Sequence, residues 1–150
     1  MSFTDRLKQA AAFVKSGFDK ISDMFITDEV AKASMVMAAW VTAADGKIEE
    51  SEIVETEKFI TEFEMFKDLD KDILRSEYRD WCEKFNKHPE DAIAEAQMEI
   101  HPLRDKKDEA MAAIRLAVGI ARSDGVFADQ EKKVLIRACR YLHVDEEAFF

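Results

Sequence analysis

Ala43-Ala44-Asp45-Gly46-Lys47-Ile48-Glu49-Glu50-Ser51-Glu52 returns near the other end of the chain as Arg122-Ser123-Asp124-Gly125-Val126-Phe127-Ala128-Asp129-Gln130-Glu131. Both copies read Asp-Gly-x-apolar-x-acid-x-Glu. Only four glycines occur among the 150 residues, and two of them, Gly46 and Gly125, hold the same place in copies set 79 positions apart. This is an internal repeat.

Around it the chain reads as helices. Prolines are confined to Pro89 and Pro102, glycine is scarce, and Ala, Glu, Lys and Met are plentiful, a composition of helix formers. Phe3, Leu7, Ala11, Val14, Phe18, Ile21 and Phe25 recur in steps of four and three, one stripe of an amphipathic helix that Ser2 or Thr4 can cap. This leading helix, 1–26, has two readings: docked on the core, or a detachable arm for a partner helix or membrane surface. Its polar face mixes charges where a lipid-binding helix is usually basic, which favours docking.

A second helix follows the Thr27-Asp28 cap, runs through Val30, Ser34, Met37 and Val41, and ends at Asp45-Gly46. A third starts near Glu49 or Glu50 and carries Ile53, Ile60 and Phe63 inward, with Thr56 and Phe59 flanking. Asp70 caps a fourth bearing Ile73, Leu74, Trp81 and Phe85. It stops before Pro89, which disfavours helical geometry in its predecessor and suits a first helical position. The fifth helix spans about Pro89 to Ile100, a long sixth starts near Asp105, and a seventh covers about Asp129 to Leu142. The expectation is one compact all-α domain of about seven helices, with the first Asp-Gly repeat in 28–66, the second in 105–142, and a pseudo-twofold relation between them. Trp40 and Gly119 fall at equivalent places, so the large residue of one half is expected to fill the space left by the other.

The totals bound the function. With 22 basic and 32 acidic residues the net charge is −10, which opposes general binding to nucleic acid or anionic lipid and favours cations and basic partners. Cys82 and Cys139 form no C-x-x-C pair and read as buried reduced thiols. The apolar run Met35 to Val41 is far below the roughly 20 residues of a membrane span, and the polar opening stretch resembles no signal peptide. The expected setting is cytoplasmic. His88, His101 and His143 fall on separate elements with no ligand spacing, and no nucleophile elbow or phosphate loop occurs; an enzyme is not expected. Lys133, Arg137 and Arg140 make a basic stripe that is either a solvated face or one pole of a dipolar docking surface. Met35, Met37, Met65, Met98 and Met111 read as core gap-fillers.

The Asp-Gly element has a structural and a chemical reading. Gly46 and Gly125 suit a left-handed helix end, Ile48 and Phe127 plug the turn into the core, and Glu52 stands three residues after Glu49, where a capping-box acid reaches back. Chemically, Gly46 to Glu52 and Gly125 to Glu131 keep the spacing between the glycine and the bidentate glutamate of an EF-hand loop. The first and third liganding places, however, hold Val41 and Ala43 or Ile120 and Arg122, so neither copy is an EF-hand. Brought together, Asp45, Glu49, Glu50, Glu52, Asp124, Asp129 and Glu131 would form a carboxylate cluster suited to calcium or magnesium. Asp45 and Asp124 are not needed for capping and sit where the helix macrodipole disfavours an acid. The alternative is a metal-independent interaction module whose acids only cap helices.

These residues resemble the TerB family of tellurite-resistance proteins, from the Met1-Ser2-Phe3 opening to the more specific stretch Leu116-Ala117-Val118-Gly119-Ile120-Ala121-Arg122-Ser123-Asp124-Gly125. The resemblance implies an all-helical pseudo-twofold domain and a cytoplasmic bacterial or phage setting. It also implies a role in tellurite resistance and the accompanying stress response, alongside other proteins of that system, membrane-associated ones included. A surface acidic cluster for divalent metal maps onto Asp45, Glu52, Asp124 and Glu131. The chain departs from the family's fuller acidic pattern at Ser51, Ala128 and Gln130, which bears on how tightly a cation is held.

Overall fold

The computed structural model describes residues 2–16, 26–122 and 127–149, and every regular element among them is helical. Seven α-helices are described: α1 (Phe3–Ser16), α2 (Asp28–Thr42), α3 (Glu50–Glu62), α4 (Lys71–Lys87), α5 (Pro89–Ile100), α6 (Lys107–Ala121) and α7 (Asp129–Tyr141). Their starts follow local chemistry. The Ser2 hydroxyl accepts from the Asp5 amide, Thr27 accepts from Val30, and Asp70 accepts from Asp72 and Ile73, each satisfying donors that a first helical turn leaves orphaned. Pro89 opens α5 directly after α4.

Two helices make the centre. α2 and α6 are packed on each other, and most residues of both are buried. α4 lies across α2 and α3, α5 follows α4 and also reaches α2, and α1 lies on α6. α2 in addition touches α7, and α3 touches α6. The helices of each Asp-Gly unit therefore pack on helices of the other.

The leading helix is docked. Ala10, Ala11 and Val14 are buried, Arg6 pairs with Glu55 at 2.7 Å and Lys15 with Glu64 at 3.2 Å. Its described part ends at Ser16; Phe18, Ile21 and Phe25 of the expected stripe lie outside the described residues. The space beside Gly119 is filled by this helix and not by Trp40: a Cβ there would meet Val14 Cγ2 at 3.1 Å and Ala10 Cβ at 3.8 Å.

Other expectations need correction. Phe59 and Thr56 do not flank the buried stripe of α3 but belong to it, because Phe59 stacks on Phe63 and takes the edge of Phe3 from α1. Ile73 is exposed and Tyr78 takes its place in the core face of α4. Met98 is 75% exposed and fills no core gap. Helix α6 starts at Lys107, since His101–Asp105 forms a 3₁₀ turn around Pro102.

Candidate functional site

The first turn is built in three steps. Helix α2 gives way at Thr42 to a 3₁₀ turn, Ala43–Asp45, whose cap residue Gly46 has φ 113°, beyond the reach of most side chains. Ile48 then drops into the core. Asn86 of α4 holds it there: the side-chain oxygen accepts from the Ile48 amide at 2.8 Å while the side-chain nitrogen donates to the Ile48 carbonyl at 2.9 Å. Last, the Glu52 carboxylate accepts from the Glu49 amide at 3.2 Å.

The second copy repeats that last step. Glu131 accepts from the Ala128 amide at 2.9 Å, the same half of a capping box one repeat further on. Phe127 is half-buried against the core, the counterpart of Ile48. Asp124 and Gly125 lie outside the described residues.

Of the seven acids expected to cluster, three line one cavity of about 220 Å³: Asp45 from the first turn, Glu52 from α3 and Glu131 from α7. Thr42, Lys47, Glu55, Thr56, Ile120 and Ala121 complete the wall. Glu131 is 6% exposed, and a carboxylate so buried is costly unless hydrogen-bonded, which the Ala128 amide provides in part. Glu55 also pairs with Arg6 of α1. It follows Glu52 by three residues on the same helix face, a signal that the reading of the motif alone passes over.

Glu49, Glu50 and Asp129 are placed elsewhere. Glu50 is drawn away by Arg79 of α4 at 2.8 Å, which also pairs with Glu57 at 2.5 Å, and Glu57 and then Glu50 hold that guanidinium firmly charged. Glu49 is the exposed N-cap residue of α3, and Asp129 is exposed at the first position of α7; neither lines the cavity. Among the described residues no group of three or more His, Cys, Asp or Glu is placed to hold a metal ion. Of the six expected acids that are described, three share a cavity, while Glu49, Glu50 and Asp129 are turned to a cap, an ion pair or solvent; Asp124 lies outside the described residues.

The basic stripe is also divided. Arg140 pairs with Glu146, and Arg137 lies over the Trp40 ring, 5.7 Å from its centroid. His101 meets the Tyr141 hydroxyl and His143 meets Arg104, each at a separate surface contact. Cys82 and Cys139 are free and buried, and burial pushes each thiol up to about 12, so near neutral pH they are not nucleophilic thiolates.

An all-helical domain in which the first Asp-Gly turn, α3 and α7 bring acids to one cavity defines the class. Its particular family follows from the sequence: the family model for tellurite resistance protein TerB matches residues 31–150, and the chain belongs to that family. No match arises among curated proteins or solved structures. Tellurite resistance is therefore the setting in which the domain belongs. No helix among the described residues is long and apolar enough to cross a membrane.

Proposed function

We propose that this chain serves tellurite resistance, and the stress response that accompanies it, as a non-catalytic cytoplasmic adaptor. Its acidic cavity takes a divalent cation, calcium first and magnesium second, and the occupied domain engages other proteins of the system, including those at the inner membrane. One observation carries the cation reading: Asp45 and Glu52 from one motif and Glu131 from the other face a common cavity. Their mutual repulsion is the free energy a cation would relieve, and an all-oxygen donor set suits calcium or magnesium. Asp45, Glu52 and Glu131 would hold the ion. Because they are not placed closely enough to do so unaided, and Lys47 shares the wall, weak binding is expected, on the order of 10⁻⁴ to 10⁻³ M.

A second reading has its own support. Glu52 and Glu131 each accept the amide three residues back, which a metal-free interaction module would need for capping alone. The double change Glu52→Gln with Glu131→Gln separates the two, since a glutamine oxygen still accepts the amide but carries no charge. On the cation reading the wild type takes up calcium in a calorimetric titration and its Tm rises with calcium, while the double variant keeps the calcium-free Tm and loses the binding heat. No heat with wild type, from either calcium or magnesium, would leave the capping module as the function.

A further inference from the structure

A second cavity, of about 400 Å³, opens beside the first turn, where the end of α2 faces the α4–α5 junction and α7. Its apolar wall is Trp40, Phe85, Ile93 and Val134. Ala43 and Ala44 keep it open by having only methyl side chains, and a Cβ built on Gly46 at its rim would meet no atom within 4 Å. The polar groups are of one sign. Asn86 is on the wall too, but its amide is used on both sides by the Ile48 backbone. What is left is Arg137, together with Lys47, which stands between this cavity and the acidic one.

Among the described residues no acidic side chain pairs with either cation, although acids outnumber bases 32 to 22 in the chain. Arg137 rests its guanidinium face on Trp40, and stacking leaves its edge N–H groups available to donate. An apolar cavity with a few convergent polar groups is the general form of a binding site, and 400 Å³ is at the small end of that range. Two cations against a net charge of −10 do not suit a nucleic acid. They suit one carboxylate beside one apolar group. The open ground at Gly46 admits a passing backbone.

We propose that this cavity is a docking site for an acidic segment of a partner protein. The segment seats one large apolar side chain on Ile93 and Val134, over the exposed edges of Trp40 and Phe85, and lays a neighbouring Asp or Glu carboxylate on Arg137 and Lys47. This names the protein-binding surface that the adaptor reading requires, and it stands without the cation.

The test is to pan a random heptapeptide phage library on the full chain in EDTA, with a parallel selection in calcium. The enriched peptides are expected to carry Asp or Glu within two positions of an aromatic or long aliphatic residue. Synthesised and labelled, they are expected to shift the Trp40 fluorescence read in a Trp81→Phe background, and to bind at least tenfold more weakly to the Arg137→Gln and Lys47→Gln double variant. Both substituted side chains are exposed, so the variant should keep the fold and lose only the small contribution of the Arg137–Trp40 contact; circular dichroism checks this. Failure to enrich any motif, enrichment of neutral or basic sequences, or equal affinity for the double variant would overturn the proposal. So would free indole-3-propionate binding as tightly as the enriched peptides, which would make the cavity a small-molecule site. Self-association in sedimentation, competed by the peptides, would assign it to a second copy. Enrichment in EDTA with no calcium heat would sink the cation reading and leave this site standing.

Discussion

Asn86 lies 38 positions from Ile48 in sequence, yet it makes both backbone hydrogen bonds of a residue that is otherwise deep in the core. Ile48 sits between a 3₁₀ turn and the start of α3, where no neighbouring strand or helical turn can serve its amide and carbonyl, so the clamp answers an accounting need. Asn86→Ala is expected to cost about 2–3 kcal/mol by urea denaturation, from two lost hydrogen bonds and the groups left behind. Asn86→Asp keeps an acceptor for the Ile48 amide and loses the donor for its carbonyl, and should therefore fall between the two. Equal stability of all three proteins would show that water serves Ile48 as well. Nothing in the sequence near Asn86 announces this role. Its position before Lys87-His88-Pro89 signals only a helix end, because the partner comes from packing between distant elements. By contrast Thr27, Asp70 and Glu52 are legible from their own neighbourhoods, since a cap bonds within three residues.

Among the elements, α1 is attached chiefly by its apolar face. Its ion pairs to Glu55 and Glu64 involve exposed carboxylates and contribute at most about 1 kcal/mol each, whereas Val14 is fully buried against α6. Val14→Ala should cost about 1.5–2 kcal/mol for two buried methyl groups, and Gly119→Leu about 1–3 kcal/mol by overpacking the same contact. Limited trypsin digestion should show faster cleavage at Arg6, Lys8 and Lys15 in both variants; resistance equal to wild type would mean that α1 is held by something else. Gly119→Ala brings opposite effects together, a gain in helix propensity of about 1 kcal/mol against a Cβ contact at 3.1 Å. It should be more favourable in the Val14→Ala background than alone. Helical periodicity located every α-helix, and charge pairing did not: Glu50 reads as a ligand beside Asp45 until the packing of α4 on α3 brings Arg79 to it. Tyr78 is hidden in the same way, set between Glu77 and Arg79 in a charged stretch.

At the level of the whole molecule, the buried thiols tie chemistry to global unfolding. Burial raises Cys82 and Cys139 from 9.0 to about 12 and moves the Tyr78 phenol upward as well. The folded chain thus holds protons that the unfolded chain has released, so stability falls as pH rises from about 9 towards 12 and is untouched by these groups below about 8. Ellman's reagent at pH 8 should label both thiols only at the rate of global opening, in step with urea unfolding. Fast labelling in the absence of urea would make either thiol a candidate for direct reaction with tellurite. The domain architecture was legible because caps, prolines and apolar periods agree on it. The acidic site was legible only in part, since the motif names its carboxylates but not which of them the tertiary packing turns inward.

Gly119 also has a comparative meaning. The family model begins at residue 31, so α1 lies outside it, while the contact that seats α1 is made on a helix inside it. Gly119 thus lies inside the matched region and seats a helix that precedes it. Across relatives, a glycine here should travel with an apolar leading helix, and a bulky residue here should travel with its loss or with a displaced path across α6.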